Sequence, residues 1–320
     1  MGTTDLEHFL RFAFGFEAAF WSDDFGALRG MLAPEARHVA HAEGLLRTDD
    51  AGAEAFLAGL RSSVHALDRR FDVRIPEIVA GPASRPEGVW MRYALRLRRE
   101  GLPELGFEGE HLTRYEGGRI VAIEETLPPG TGERVDAYLH EHDARLRPAG
   151  SRALPPRDPR DQRDAEAALL RSLARGYAGA KSEQDVAAAL SLCSEDFVLD
   201  AVPLGLASKD RKDAESQLGL FFQTFPDFAV TCEGIAAEGN AAGGGAVCCW
   251  GAARQTFRGP FLGHPPTGRS ATLPFVSVFE ARGGQLVRER YYFDLASLCD
   301  QIGLPIAAVR ETLARLGGSA

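Results

Sequence analysis

The chain has 320 residues, room for two domains of about 150, and sets 36 Lys and Arg against 45 Asp and Glu for a net charge of −9. Hydrophobic residues make up 45% and charged ones 25%. That mix excludes disorder as the main state, and the acidity excludes a general affinity for nucleic acid or anionic membrane. The longest uncharged stretch, Gly239 to Ala253, is too short and glycine-rich to span a bilayer. Met1 to His8 carries two acids and no Lys or Arg, unlike the start of a secretory signal peptide. The five cysteines fall at 193, 232, 248, 249 and 299. An odd number without Cys-x-x-Cys spacing argues against a disulfide framework and a structural zinc site. Reduced thiols in a cytoplasmic protein without metal are expected. Arg outnumbers Lys 33 to 3, which reads as a GC-rich bacterial codon bias.

In chain order, Leu6, Phe9, Ala13, Phe16 and Phe20 fall at helical spacing, and a second helix follows. Pro34 to Val39 leads into a short strand. Phe56, Leu60, Val64 and Leu67 then line a third helix. The period next changes to two: Val89, Met91, Tyr93, Leu95 and Leu97 alternate with Trp90, Arg92, Ala94, Arg96 and Arg98, the pattern of a half-buried strand. Gly117-Gly118 marks a hairpin. The stretch 147–164, with four prolines and a single Leu, reads as a linker.

The same series then repeats. Leu169, Leu170, Leu173 and Tyr177 open the second half, and Ser182 with Asp185 reads as a capping box for the next helix. Ser194 to Leu199 matches Pro34 to Val39. Leu218, Phe221, Phe222 and Phe225 line the third helix, and Gly283-Gly284 repeats the hairpin. The strand entries are 160 positions apart and the hairpin glycines 166, so about six extra residues are expected between them in the second copy, in its turns at Gly239 to Gly245 and His264 to Arg269. Three helices followed by long antiparallel strands, twice over, predict an α+β architecture, with domains at 1–146 and 165–320.

The second half resembles a known family. Phe225-Pro226-Asp227-Phe228, Gly259-Pro260-Phe261-Leu262-Gly263, Pro266-Thr267-Gly268-Arg269, Gly283-Gly284-Gln285-Leu286, Tyr291-Tyr292-Phe293-Asp294 and Gln301-Ile302-Gly303 occur in the order of the SnoaL-like polyketide cyclases. The first half resembles the wider nuclear transport factor 2-like superfamily through its element order and Gly117-Gly118-Arg119-Ile120. The resemblance implies two tandem cone-shaped α+β barrels, each a curved sheet wrapped by helices around a cavity, and cofactor-free acid–base chemistry on an apolar molecule. It also implies a His and an Asp that this sequence lacks. Phe257 stands at the position of the first and Ser277 at that of the second, so the family's aldol mechanism does not carry over.

Other residues are weighed for the chemistry. Asp200, in the apolar run Val198 to Val202, reads as a general base, because an acid in such a run is solvated, hydrogen-bonded or protonated. Glu289 and Tyr291 share one strand face and read as proton-transfer group and hydrogen-bond donor. Phe221, Phe222, Trp250, Phe257 and Phe261 are expected to wall the second cavity, with Arg269, Ser277 and Asp294 as further ligand-binding candidates. Asp294 also reads as a helix N-cap. In the first half His38 and His41 are on opposite strand faces, Glu108 and Glu110 share a face opposite His111, and Glu124-Glu125 ends the last strand. None of these stands out as a constellation.

The expected function is therefore a cofactor-free cyclase, isomerase or epoxide-opening enzyme of secondary metabolism, working on a polyketide-like substrate in the second domain. Its alternative is a non-catalytic binding or scaffold protein. No nucleic acid or membrane partner is expected. The two copies are expected to form an internal pseudo-dimer, as a monomer or homodimer in solution.

Overall fold

The computed structural model describes residues 4–152, 154, 158–240 and 244–317. The chain divides into two compact units, Met1–Arg175 and Gly176–Ala320. The first unit contains α1 (Asp5–Ser22), β1 (Leu32–His41), β2 (Thr48–Ala51), α2 (Ala53–Ala66), β3 (Val73–Arg85), β4 (Gly88–Arg98), β5 (Leu105–Glu116), β6 (Arg119–Thr126) and α3 (Thr131–His142). The early turns of α4 (Pro159–Ser182) complete it. Thr4 caps α1 by accepting the Glu7 amide, and the helix buries Leu6, Phe9, Leu10, Phe12 and Phe20. The second helix expected after it is a 3₁₀ stretch, Phe25–Met31, in which Gly26 and Gly30 weaken the α conformation. The six strands run in the order β2-β1-β6-β5-β4-β3. The β1/β6 pair is parallel and its neighbours are antiparallel. Val89, Met91, Leu95 and Leu97 are buried, so the period-two run of the sequence sets the inner face of β4.

Asp23, just past α1, takes a left-handed φ of 60° and ties α1 to α2. Its carboxylate accepts from Arg61 Nη2 at 2.8 Å and lies 2.7 Å from His65 Nε2. Burial alone would raise its pKa, but the hydrogen bonds from Arg61 and His65 outweigh burial and hold it at about 2. Asp23→Asn tolerates the same backbone and is expected to cost about 1–2 kcal/mol near neutral pH. A carboxyl whose folded pKa is depressed gives stability above its unfolded value of 3.8 and loses it as pH falls through about 2. Urea midpoints of the two proteins are therefore expected to converge across that window.

The second unit holds the end of α4, then α5 (Val186–Ser191), β7 (Cys193–Ala201), β8 (Leu206–Ala207), α6 (Arg211–Thr224), β9 (Ala229–Asn240) and β10 (Gly244–Thr256). It continues with β11 (Ser270–Arg282), β12 (Gln285–Phe293), α7 (Leu295–Ile302) and α8 (Ile306–Gly317). Its sheet order, β8-β7-β12-β11-β10-β9, repeats that of the first unit strand for strand, with β7/β12 parallel. Register shifts at Trp250/Gly251 and Glu280/Ala281 are bulges that bend such a sheet. The molecule is thus α+β, with two tandem copies of one curved-sheet topology.

Three local expectations are corrected. Helix α4 begins at Pro159, a residue suited to a first helical position, so 159–164 are helical rather than linker, and the division into units falls within that helix. Residues 153 and 155–157 of the expected linker, and 241–243 of the expected turn, lie outside the described residues. The N-cap of α5 is Asp185, which accepts the Ala188 amide at 2.9 Å. Ser182 instead accepts the Val230 amide at 3.0 Å. Among the described residues no helix is long and apolar enough to cross a membrane.

Candidate active site

The interior of the second unit is filled. Glu289 on β12 is only 1% exposed. Lys181, from the last turn of α4, places Nζ 3.1 and 3.0 Å from its two carboxylate oxygens. Ser277 Oγ on β11 donates to Glu289 Oε1 at 2.8 Å. The ammonium also lies 5.1 Å from the Tyr177 ring centre and 4.9 Å from that of Tyr291, a favourable cation–π arrangement. Burial, and then the nearby Glu289 charge, push the Tyr177 and Tyr291 hydroxyls well above the ordinary phenol range. The void left among these groups is about 10 Å³, at the limit for a single water. No organic guest fits there as the side chains stand.

This bears on every residue singled out in that half. Glu289, Tyr291 and Ser277 do converge, but around Lys181 rather than around free space. Asp200 is opposite Arg290 in the β7/β12 register, while Leu199 is opposite Glu289. Strand alternation therefore turns Asp200 to the face away from Glu289, because Phe197 and Leu199 fill the inner face. Trp250 is 42% exposed, on the outer face of β10 opposite Val276, and does not border this void. Phe221, Phe222, Phe257 and Phe261 pack with Phe225 and Phe228 in an aromatic cluster and do not border the void. Arg269 is exposed in the loop after β10. Asp294 caps α7, accepting the Ala296 and Ser297 amides at 2.9 and 3.2 Å.

The first unit is hollow. A cavity of about 350 Å³, within the range of small-molecule sites, lies between the inner sheet face, α1, α2 and the early turns of α4. Phe9, Phe12, Phe16 and Phe20 face it from one side of α1. The exposed Trp21 and Leu45 also border it, so it reaches the surface. Arg171 of α4 forms a two-point bond to Glu77 of β3, at 2.6 and 2.5 Å, and Ser172 Oγ accepts the Ile78 amide at 2.9 Å. These contacts fasten α4 over the cavity.

Polar groups gather on one patch of its sheet wall. His111 on β5 and Glu125 on β6 are directly cross-strand, with His111 Nε2 3.5 Å from Glu125 Oε1. His38, on the far side of β6, brings Nε2 to 3.8 Å from Glu125 Oε2. Tyr93 on β4 donates its hydroxyl to Glu125 Oε1. Burial, with a smaller push from His38, pulls the His111 imidazole down to about 3. His111 lines the cavity, and 23% of its side chain is accessible. His111 is therefore neutral across the physiological range, one nitrogen donating and the other accepting.

Nearby, Arg74 on β3 is held between Glu17, at 2.8 and 2.6 Å, and Asp68, at 2.7 Å. Burial works against the Arg74 charge, but these two acids keep its pKa raised. Burial raises that of Asp68 despite Arg74.

Gly109 makes the Tyr93 contact possible. It is opposite Tyr93 in the β4/β5 register, and a Cβ there would stand 2.6 Å from the phenol oxygen and 2.8 Å from the ring. Gly109→Ala is expected to push Tyr93 off Glu125 and to cost about 1–3 kcal/mol by overpacking. Thermal unfolding together with the near-ultraviolet tyrosine signal checks both effects.

This cluster escaped the reading of the sequence, although a signal for it was present. His111 lies six residues before Gly117, as Ser277 lies six before Gly283. Glu125 follows Gly118 by seven, as Tyr291 follows Gly284. Both pairs are cross-strand partners. Counting from the hairpin glycines thus puts a His in the first copy where the resemblance wants an acid–base group and the second copy has Ser277. Glu108 and Glu110, by contrast, are exposed on the outer face.

Residues 171–302 match the family model of the SnoaL-like polyketide cyclases. No curated protein matches the chain. Three solved structures are similar at low identity. A candidate SnoaL-like polyketide cyclase of Jannaschia sp. CCS1 is 21% identical with a TM-score of 0.40, over 47% of this chain and 99% of its own. A candidate polyketide cyclase of Xanthomonas campestris pv. campestris is 22% identical with a TM-score of 0.38, over 43% and 98%. AclR of Streptomyces galilaeus, a candidate hydroxylase, is 21% identical with a TM-score of 0.38, over 43% and 99%. With its motif series in order, the stretch 171–302 of this chain is a SnoaL-like domain.

Proposed function

We propose that the first unit is the working half, an acid–base enzyme site for an apolar small molecule, and that the SnoaL-like second unit is a filled copy with a structural role. The observation that carries this reading is the Tyr93–Glu125–His111 cluster on the wall of a 350 Å³ cavity. A carboxylate placed there can take a proton from a carbon or oxygen of the guest. Neutral His111 and Tyr93 hold hydrogen-bond donors beside it that can follow the charge as it moves. Proton transfer of this kind serves cyclisation, isomerisation and epoxide opening alike. The cluster itself favours none of the three.

The test is proton exchange. Wild-type protein and Glu125→Gln are incubated in deuterated buffer with a panel of apolar carbonyl compounds, and loss of C–H signal is followed by nuclear magnetic resonance. Exchange accelerated by the wild type and lost in the variant supports the reading. Compounds that bind in the cavity without exchange support a carrier instead, the second reading for a cavity of this shape.

A further inference from the structure

The charge on the cavity wall carries an inference about the guest, and it rests on the reading of this cavity as the working site. Five acids border it, Glu17, Asp68, Glu77, Glu125 and Glu166, and among the described residues Arg74 is its one guanidinium. Arg171 matches Glu77. Arg74 is shared between Glu17 and Asp68, two acids to one cation, so it has little to offer an incoming anion. Among the described residues the charged-group neighbours of Glu125 are the imidazoles of His38 and His111, and His111 is neutral there. Among the described residues carboxylates thus outnumber cations on an otherwise mostly apolar wall, and the aromatic faces of α1 themselves attract positive charge.

A second, independent observation concerns unused hydrogen-bonding atoms. His38 is 5% exposed and Thr113 fully buried. Both border the cavity, and neither His38 Nδ1 nor Thr113 Oγ1 has a hydrogen-bond partner. A ring nitrogen and a hydroxyl can each form a hydrogen bond with a polar group of a guest. His38 and Thr113 flank Ile123 on opposite sides in the β1/β6/β5 register, one residue pair along from Glu125. Buried and unpaired among the described residues, these two atoms are where an N–H group of a guest gains most by donating.

We propose that this cavity takes an apolar organic cation, a molecule with an alkyl or aromatic body and a protonated amine, its N–H groups donating to Glu125 and His38 Nδ1.

The test uses three probes of one shape, 3-phenylpropylamine, 3-phenylpropan-1-ol and 3-phenylpropanoate, titrated calorimetrically into the full chain at neutral pH. The amine is expected to bind at least about tenfold more tightly than the alcohol, with the carboxylate weakest. Glu125→Gln is expected to lower the amine affinity by about tenfold and to leave that of the alcohol within about threefold. An alcohol or carboxylate bound as tightly as the amine by the wild type overturns the cation and leaves the acid–base reading standing. Binding of none of the three overturns the cavity as a small-molecule site, and the acid–base reading with it.

Discussion

Exchange of Glu125 for Gln is expected to lower turnover in the first-unit cavity by about 10²–10⁴-fold, the usual worth of a positioned general base, with little effect on folding. Gln has the same shape, and its carbonyl can still accept from Tyr93. What it loses is the ability to take a proton. The neighbours sharpen the test. Tyr93→Phe removes the hydroxyl bonded to Glu125 but leaves the carboxylate, so a smaller rate loss is expected. His111 stays uncharged above about 3, so its own protonation does not shape the rate between about pH 5 and 8. An inflection in that interval that disappears in His111→Asn contradicts the arrangement. Steady-state rates across pH for the three variants, with circular dichroism to verify folding, decide it.

The second large effect is on stability. Lys181→Met is expected to destabilise the second unit by about 3–5 kcal/mol, because it leaves Glu289 charged, buried and unpaired. The pair is 8% and 1% exposed, so solvent does little to soften the loss. Lys181→Met with Glu289→Leu removes both charges and fills the space with carbon. Most of the lost stability is expected to return, short by about 1 kcal/mol for the Ser277 hydroxyl that no longer has its acceptor. Urea unfolding of the full chain checks this. A single variant as stable as the wild type would mean that the ion pair is not what closes this interior.

These two effects belong to different halves, and the difference traces to a few side chains. On the shared sheet order, Glu125 and His111 face an open cavity in the first unit, whereas Tyr291 and Ser277 at the matching positions meet the Lys181–Glu289 pair in the second. Glu289 comes where Ile123 is in the first copy, one residue pair away along the strand. One lysine at the end of α4 thus turns a would-be acid site into a buried salt bridge.

Much of the fold was legible because it is written in short-range pattern. Period-two alternation over Val89 to Leu97, helical spacing in Leu6 to Phe20 and paired glycines at 117 and 283 each act within a few residues. Their recurrence gave the tandem topology. Local chemistry such as the Asp294 cap was readable for the same reason. The 3₁₀ stretch at Phe25–Met31 and the helical 159–164 depart from expectation for local reasons, since Gly26 and Gly30 weaken an α-helix and a proline is as much at home in a first helical turn as in a linker.

The sequence by itself determined two copies of one α+β topology, the motif series of the second, and which strand residues share a face, all consequences of covalent periodicity. Only the tertiary structure decided which copy is hollow. Lys181 is 108 residues from Glu289, and His38, Tyr93, His111 and Glu125 come from four strands. Whether an inward acid meets an ammonium, a phenol or empty space depends on how helices close over the sheet. Free volume is a property of packing between distant segments, and no run of neighbouring residues encodes it.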